Sequence, residues 1–241
     1  MLRGDVAMAD HPNFRIDIVG CGPAGEEFLT FAAKQAIDSA ELIAGTPRLV
    51  EAYARPDQER LSLEGDYRQA LETLERKAAK RRTVVLVTGD PGIRSLARLV
   101  IDRFGLSRCR VIPGISSVQL AFARFGLDWT DARIVSAHAS LSDLECERPE
   151  RYSCIAVLAG RNDAWPSIAS FAERAGERRI FVCEELGTTD ERIGDVSVDA
   201  LRSGRFSARS IVLLVDSVVF EARGNRPAGS ARRCERKGTN E

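Results

Sequence analysis

Thr83-Val84-Val85-Leu86-Val87 is an unbroken, mostly β-branched run that stops abruptly in Thr88-Gly89-Asp90-Pro91-Gly92. A strand with one wet face alternates apolar and polar residues. A strand apolar on both faces has to be covered on both, which is the situation of a parallel sheet flanked by helices. The flanks agree with that reading. Upstream, Asp66 to Lys80 places Ala70, Leu71, Leu74 and Ala78 on one helical face and Glu72, Glu75, Arg76 and Lys77 on a solvated one. Downstream, Ile93 to Phe104 reads as another helix. A parallel sheet built from right-handed crossovers is the expected frame.

The same alternation runs through the first half of the chain. Phe14 to Val19 reads as a strand, followed by the glycine turn Gly20-Cys21-Gly22-Pro23-Ala24-Gly25 and a helix from Glu26 to Ile37. Leu42-Ile43-Ala44 is a short strand, Thr46 to Tyr53 a helix, and Arg110-Val111-Ile112 a strand that Pro113-Gly114 ends. Ser116-Ser117 then offers hydroxyls where a helix starts, with Val118, Ala121, Phe122 and Phe125 on one face and Gly126 as its C′ residue. The second half is less regular. Strands are expected at Arg133–Ala137, Cys154–Ala159, Ile180–Cys183 and Ser210–Val215, a helix at Trp165–Ala175, and antiparallel pairing around Gly187 and Gly194. The fold class is therefore α/β, with a mainly parallel first sheet and a mixed second one. Residues 1–13 form a flexible N-terminus, 14–113 and 114–219 two α/β domains, and 220–241 a polar, disordered tail.

Composition removes several function classes. Lys+Arg and Asp+Glu are equal at 35 each, so no global field draws the chain to nucleic acid or an anionic membrane. The longest apolar runs, such as Ile211 to Val215, fall far short of the roughly 18 residues that span a bilayer. Six cysteines are scattered without a C-x-x-C pair or a neighbouring histidine, which points to neither a metal site nor a disulfide framework. No secretory h-region precedes the first strand, so the cytoplasm is the expected compartment.

Gly20-x-Gly22-x-x-Gly25 satisfies the dinucleotide fingerprint, which raises a flavin- or NAD-binding oxidoreductase as an alternative. That fold wants an acidic residue at the end of the second strand, ~20 residues further on, to hold the ribose hydroxyls. Here the strand ends in Ala44-Gly45-Thr46, and Glu41 sits at its start. The Thr88–Gly92 turn lies at the carboxyl end of the most apolar strand, where open α/β sheets bind ligands. Its Asp90 either accepts from ligand hydroxyls or simply initiates a turn with Pro91.

Taken in order, Val19-Gly20-Cys21-Gly22-Pro23, Thr88-Gly89-Asp90-Pro91-Gly92 and Val111-Ile112-Pro113-Gly114-Ile115-Ser116-Ser117 resemble the tetrapyrrole methylase family, from about Phe14 to Asp216. Within it, Ile112–Val118, Ala123–Trp129, Glu184–Gly187 and Asp190–Ile193 are most similar to the branch that methylates C5 of precorrin-7 or cobalt-precorrin-7 in cobalamin synthesis. That branch includes the N-terminal part of precorrin-6Y C5,15-methyltransferase. The family's Ser-x-His-Gly-Arg segment stands here as Ser136-Ala137-His138-Ala139-Ser140.

The resemblance implies S-adenosylmethionine as cofactor and a small-molecule tetrapyrrole substrate, with the runner-up being another methylation position on the ring. It implies that Pro23, Gly89, Asp90, Ile93, Ser116 and Ser117 line a cofactor cleft between the domains, with Leu158 and Ala159 closing it. A ring rimmed with carboxylates calls for basic or polar groups, for which Gly22, Arg94, Arg124 and His138 are candidates, with Arg98 and Arg133 behind them. A homodimer is implied, and no resident metal. The family pattern stops near Phe220, so the C15 methylation and decarboxylation step is expected from a separate protein. No catalytic base is assigned.

Overall fold

The computed structural model describes residues 15–137 and 142–222, and these form two compact units that divide between Ser116 and Ser117. The first unit is a five-stranded sheet of β1 (Ile16–Gly20), β2 (Leu42–Gly45), β3 (Glu59–Ser62), β4 (Thr83–Val87) and β5 (Cys109–Ile112), in the order β3-β2-β4-β1-β5. Every pairing is parallel. As the β-branched run requires, all of β4 is buried, and helices cover both faces. One face packs on α1 (Phe31–Ser39) and α2 (Pro47–Tyr53), the other on α3 (Tyr67–Ala78) and α4 (Ala97–Phe104). Asp66 caps α3 by accepting from the Arg68 N–H at 2.9 Å, and Leu71, Leu74 and Ala78 are its buried stripe.

The second unit carries the mixed sheet. It comprises α5 (Ser117–Arg124), β6 (Arg133–Ser136), α6 (Ser142–Cys146), β7 (Cys154–Leu158), α7 (Trp165–Arg174), β8 (Arg178–Glu184), β9 (Arg192–Asp195), α8 (Val198–Arg202), β10 (Ser210–Asp216) and α9 (Ser217–Ala222). The strand order is β6-β7-β10-β8-β9, parallel between β6 and β7 and antiparallel elsewhere. Its core centres on Trp165, Ile168, Phe171, Val182, Val212 and Leu214. Gly126 takes φ +59° just beyond α5, the left-handed conformation expected of a C′ glycine.

Several elements differ from the sequence reading. The helix expected from Glu26 is interrupted. A 3₁₀ turn spans Glu26–Phe28, Leu29 is extended, and α1 begins only at Phe31, where the Thr30 hydroxyl accepts from the Ala33 N–H at 3.1 Å. A local capping hydroxyl outweighed a continuous helical pattern. The helix expected from Ile93 starts at Ala97. Arg94 is left-handed at φ +47°, and the Ser95 hydroxyl donates to the Pro91 carbonyl at 2.7 Å, which winds the intervening residues into turns. β3 falls in a stretch for which the sequence suggests no element, since it is a four-residue edge strand with only two half-buried positions. Finally, Phe220, placed at the start of the polar tail, is buried on α9, which runs on to Ala222. The tail beyond it, the N-terminus expected to be flexible and His138 lie outside the described residues.

Phe220 lies 5.0 Å from Phe181 and 6.4 Å from Phe125, ring centre to ring centre, and the Arg179 guanidinium sits 4.9 Å above its ring. Aromatic pairs and a cation over the ring add to the burial itself. Phe220→Ala is expected to destabilise the second unit by about 3 kcal/mol, read as a lower urea midpoint. An unchanged midpoint would mean that α9 is not docked.

Candidate functional site

β1, β4 and β5 lie side by side and parallel, so the turns that follow them leave the same edge of the sheet. Val19 pairs with Leu86 on one side and Ile112 on the other. The three glycine motifs thereby meet in the first unit at the carboxyl ends of the strands, where open α/β sheets hold ligands. They meet so closely that side chains are excluded. A Cβ on Gly20 would fall 2.6 Å from both the Gly114 nitrogen and the Gly89 carbonyl oxygen, and one on Gly114 would fall 2.7 Å from the Gly20 carbonyl. The turns are also hydrogen-bonded together. Gly89 donates to the Gly22 carbonyl at 2.8 Å, Gly22 to the Gly89 carbonyl at 3.3 Å, and Cys21 to the Val87 carbonyl at 2.9 Å.

Asp90 ties the second turn to the third. Its Oδ1 accepts from the Gly92 N–H at 2.7 Å and its Oδ2 from the Gly114 N–H at 3.2 Å. The turn-initiating and site-building readings of Asp90 are therefore both present in one side chain. Each oxygen of a carboxylate has a second lone pair, so both can still accept from a ligand hydroxyl. Gly89, at φ +67°, is buried, and a Cβ there would stand 4.0 Å from the Ile115 carbonyl oxygen and the Ser116 Cα, so this turn also packs against the segment that follows Gly114. Pro23 and Ile93 are half-buried beside these turns, Gly22 and Ser116 are buried, and Ser117 is the first residue of α5.

Two residues at this edge went unread in the sequence. The Tyr53 hydroxyl, at the end of α2, donates to the carbonyls of Gly25 at 3.2 Å and Cys21 at 3.5 Å, which holds the first glycine turn against α2. Burial, reinforced by the neighbouring Cys21, pushes the Tyr53 hydroxyl up to about 12, so it remains a donor. Burial likewise pushes the Cys21 thiol up to about 12, consistent with a small packed hydrophobe. The second residue is Arg48, whose Nη2 donates to the Thr88 hydroxyl at 3.1 Å. The available signal was topological: Thr46-Pro47 starts a helix right where β2 ends, which puts α2 at the carboxyl edge of the sheet.

Of the remaining candidates, Arg94 is exposed just beyond the second turn. Leu158 closes β7 and Ala159 follows it, both in the second unit, where the Ala159 N–H donates to the Ser210 carbonyl at 3.1 Å. Arg124 is committed within the second unit. Its guanidinium bonds Glu191 through two nitrogens, at 2.6 and 2.9 Å, and the same carboxylate accepts from the Gly187 N–H at 2.7 Å. Arg124 holds the Glu191 carboxyl below the usual carboxylate range, despite partial burial. Arg133 pairs with Glu147 and Arg98 with Asp102. Among the described residues no cluster of His, Cys, Asp and Glu could hold a metal.

This edge fits one cofactor class better than the other. A dinucleotide's pyrophosphate needs a helix N-terminus directly after the glycines. Here α1 starts later, and Glu26 and Glu27 occupy the turn where the anion would lie. A ligand with ribose hydroxyls and a cationic centre meets a suitable group in the Asp90 carboxylate.

Residues 15–202 match the family described as Tetrapyrrole (Corrin/Porphyrin) Methylases. The chain belongs to this family. Like other tetrapyrrole methylases it is an S-adenosylmethionine-dependent methyltransferase, which retires the oxidoreductase alternative. It is 30% identical over 203 residues to the cobalt-precorrin-7 C(5)-methyltransferase of Salmonella typhimurium, covering 83% of this chain and 98% of that one. It is 30% identical over 190 residues to the decarboxylating precorrin-6Y C(5,15)-methyltransferase of Sinorhizobium sp, covering 74% of this chain but 44% of that one. Among solved structures, the cobalamin-biosynthesis precorrin-6Y methylase of Archaeoglobus fulgidus is 28% identical, with a TM-score of 0.63 over 84% of this chain and 97% of that one. The methylase fold expected from the three glycine motifs is thus the fold found.

The convergence of the turns predicts that Gly114→Ala loses at least ~2 kcal/mol of stability, because backbone rather than a flexible side chain must move. Circular dichroism melting would detect it, and a wild-type melting temperature would contradict the packing. The thiols supply a second check. Cys21 and Cys183 sit at about 12 against an ordinary 9.0, both raised by burial, so the folded state keeps protons that the unfolded state releases above pH 9. Stability should therefore fall as pH climbs from about 9 toward 12. At pH 8 the native protein should be alkylated at exposed Cys146 but not at Cys21 or Cys183, as mass spectrometry of the labelled peptides would report.

Proposed function

We propose that this methylase transfers a methyl group to C5 of precorrin-7 or its cobalt form. The observation that carries the reading is the match to the Salmonella C(5)-methyltransferase, which covers that relative almost end to end at 30% identity. Two of the segments most similar to that branch, Ala123–Trp129 and Asp190–Ile193, are joined to each other by the Arg124–Glu191 pair. Segments distant in sequence but bonded in the fold form one element of structure, so their joint similarity weighs more than either alone.

For the donor site we propose Pro23, Gly89, Asp90, Ile93 and Ser116, with the adjacent Ser117. S-adenosylmethionine, when bound, supplies a methyl group already activated by its sulfonium. The protein's own work is then to orient and to exclude water. Orientation alone contributes up to roughly 7–11 kcal/mol in well-aligned reactions, so no strong base is demanded. Asp90 is fixed by two backbone N–H groups and can present its remaining lone pairs without rearranging. Preorganised acceptors of this kind cost little reorganisation on binding. Gly22 and Arg94 are the proposed neighbours of the tetrapyrrole.

A C15-methylating enzyme is proposed as a working partner, because a relative named for both the C5 and C15 positions joins the two activities in one protein. A homodimer working in the cytoplasm completes the reading.

Asp90→Ala, and separately the double change Ser116→Ala with Ser117→Ala, are each expected to weaken S-adenosylhomocysteine binding by ~10-fold or more in calorimetry. Wild-type affinity in both would remove these residues from the site. The substrate is tested by incubating the protein with precorrin-7, with and without cobalt, and a ¹³C-methyl donor. NMR should place the label at C5; label at C15 or another ring position would refute the assignment.

A further inference from the structure

α2 begins immediately beyond β2, with Pro47 in its first turn, and so stands at the edge where the glycine turns meet. Arg48 is exposed there. Its guanidinium is held by one hydrogen bond, from Nη2 to the hydroxyl of Thr88, the residue that opens the Gly89-Asp90 turn. Among the described residues it has no carboxylate within ion-pair distance. That sets it apart from Arg55, Arg103, Arg110 and Arg124, each of which is paired with an acid. Glu26 and Glu27, on the 3₁₀ turn after Gly25, act on the neighbouring Tyr53 hydroxyl, and neither bonds to Arg48.

The charge of Arg48 reaches the first glycine turn. It opposes the rise that burial imposes on both the Cys21 thiol and the Tyr53 hydroxyl. Arg48 thus bridges two of the three turns, bonded to one and acting electrostatically on the other. A neutral hydroxyl aims a guanidinium but does not neutralise it. Of its five N–H groups one is used, and the others keep the planar fork that matches a carboxylate.

We propose that Arg48 binds a carboxylate of a ligand held at the glycine turns. The inference rests on the donor site proposed above. Two ligands carry that group: the amino-acid end of the methyl donor and the acid side chains of the tetrapyrrole. Either would form a charge-assisted pair whose loss is worth roughly ten- to a hundredfold in affinity.

The test compares Arg48→Gln and Arg48→Lys with wild type, using S-adenosylhomocysteine, 5′-methylthioadenosine (which lacks the amino-acid end) and precorrin-7. A wild-type protein that binds no S-adenosylhomocysteine would defeat the donor site itself, before any variant is made. Given wild-type binding, a donor carboxylate predicts that Arg48→Gln binds S-adenosylhomocysteine ~10-fold or more weakly while methylthioadenosine affinity is unchanged. A tetrapyrrole carboxylate predicts unchanged S-adenosylhomocysteine affinity and a KM for precorrin-7 raised ~10-fold or more at constant kcat. In either case Arg48→Lys should recover part of the loss, since it keeps the charge without the fork. Wild-type values for all three ligands in Arg48→Gln would overturn the proposal. So would an equal loss for S-adenosylhomocysteine and methylthioadenosine with an unchanged KM, because that marks a distorted turn and not a lost carboxylate contact. An unaltered melting temperature shows that the variant remains folded, as expected for an exposed side chain.

Discussion

Backbone packs directly on backbone where Gly20, Gly89 and Gly114 meet, and much of the first unit follows from that contact. It is possible only because β1, β4 and β5 are adjacent and parallel, which delivers three turns to one edge, and because two of the three residues lack a Cβ that would strike a neighbouring main chain. The contact in turn fixes what can be bonded. With the turns this close, Asp90 reaches the Gly114 N–H, and Gly22 and Gly89 exchange hydrogen bonds as a short antiparallel bridge. What is left at this edge is polar main chain and one anchored carboxylate. Such a surface is rigid before any ligand arrives, which suits a reaction governed by alignment.

Legibility in the sequence followed the range of the interactions. β4 was readable because burial on both faces leaves an unbroken apolar run, and α3 because its stripe at Leu71, Leu74 and Ala78 repeats with the helical period. The three turns were readable as turns, and Asp90 as a residue with two possible jobs. Their meeting point was not, because it depends on strand order, which no local pattern encodes. The misplaced helix starts have a local cause that periodicity does not register. At Thr30 and Ser95 a hydroxyl satisfies main-chain groups and resets where the helix begins. Arg48 and Tyr53 were missed for a further reason. Neither belongs to a motif, and their importance arises from which carbonyl or hydroxyl the fold happens to place beside them.

The arginines illustrate the same point through electrostatics. A carboxylate-rimmed substrate directs attention to any arginine near a motif, and Arg124 lies within one. In the fold, a bidentate bond to Glu191 and the Gly187 N–H consume its donors' obvious partner, so it serves to join α5 to the loop between β8 and β9. With equal numbers of acidic and basic residues, most cations find an anion nearby. The informative cation is then one held in place by something other than an anion.

The interior position of β1 has a consequence for how the chain is made. Of the described strands β1 is the first to leave the ribosome, yet Ile16 pairs with Thr83 on one side and Cys109 on the other. Until those residues have been synthesised, an apolar strand waits with both edges open. At about 5–20 residues per second this interval lasts several seconds, and it is a period of exposure to other chains. β2 and β3 can pair earlier, but they join the growing sheet only through β4. The edge where the glycine turns meet, which needs Gly114, therefore comes into being at the close of the first unit's synthesis, when β1 is finally enclosed.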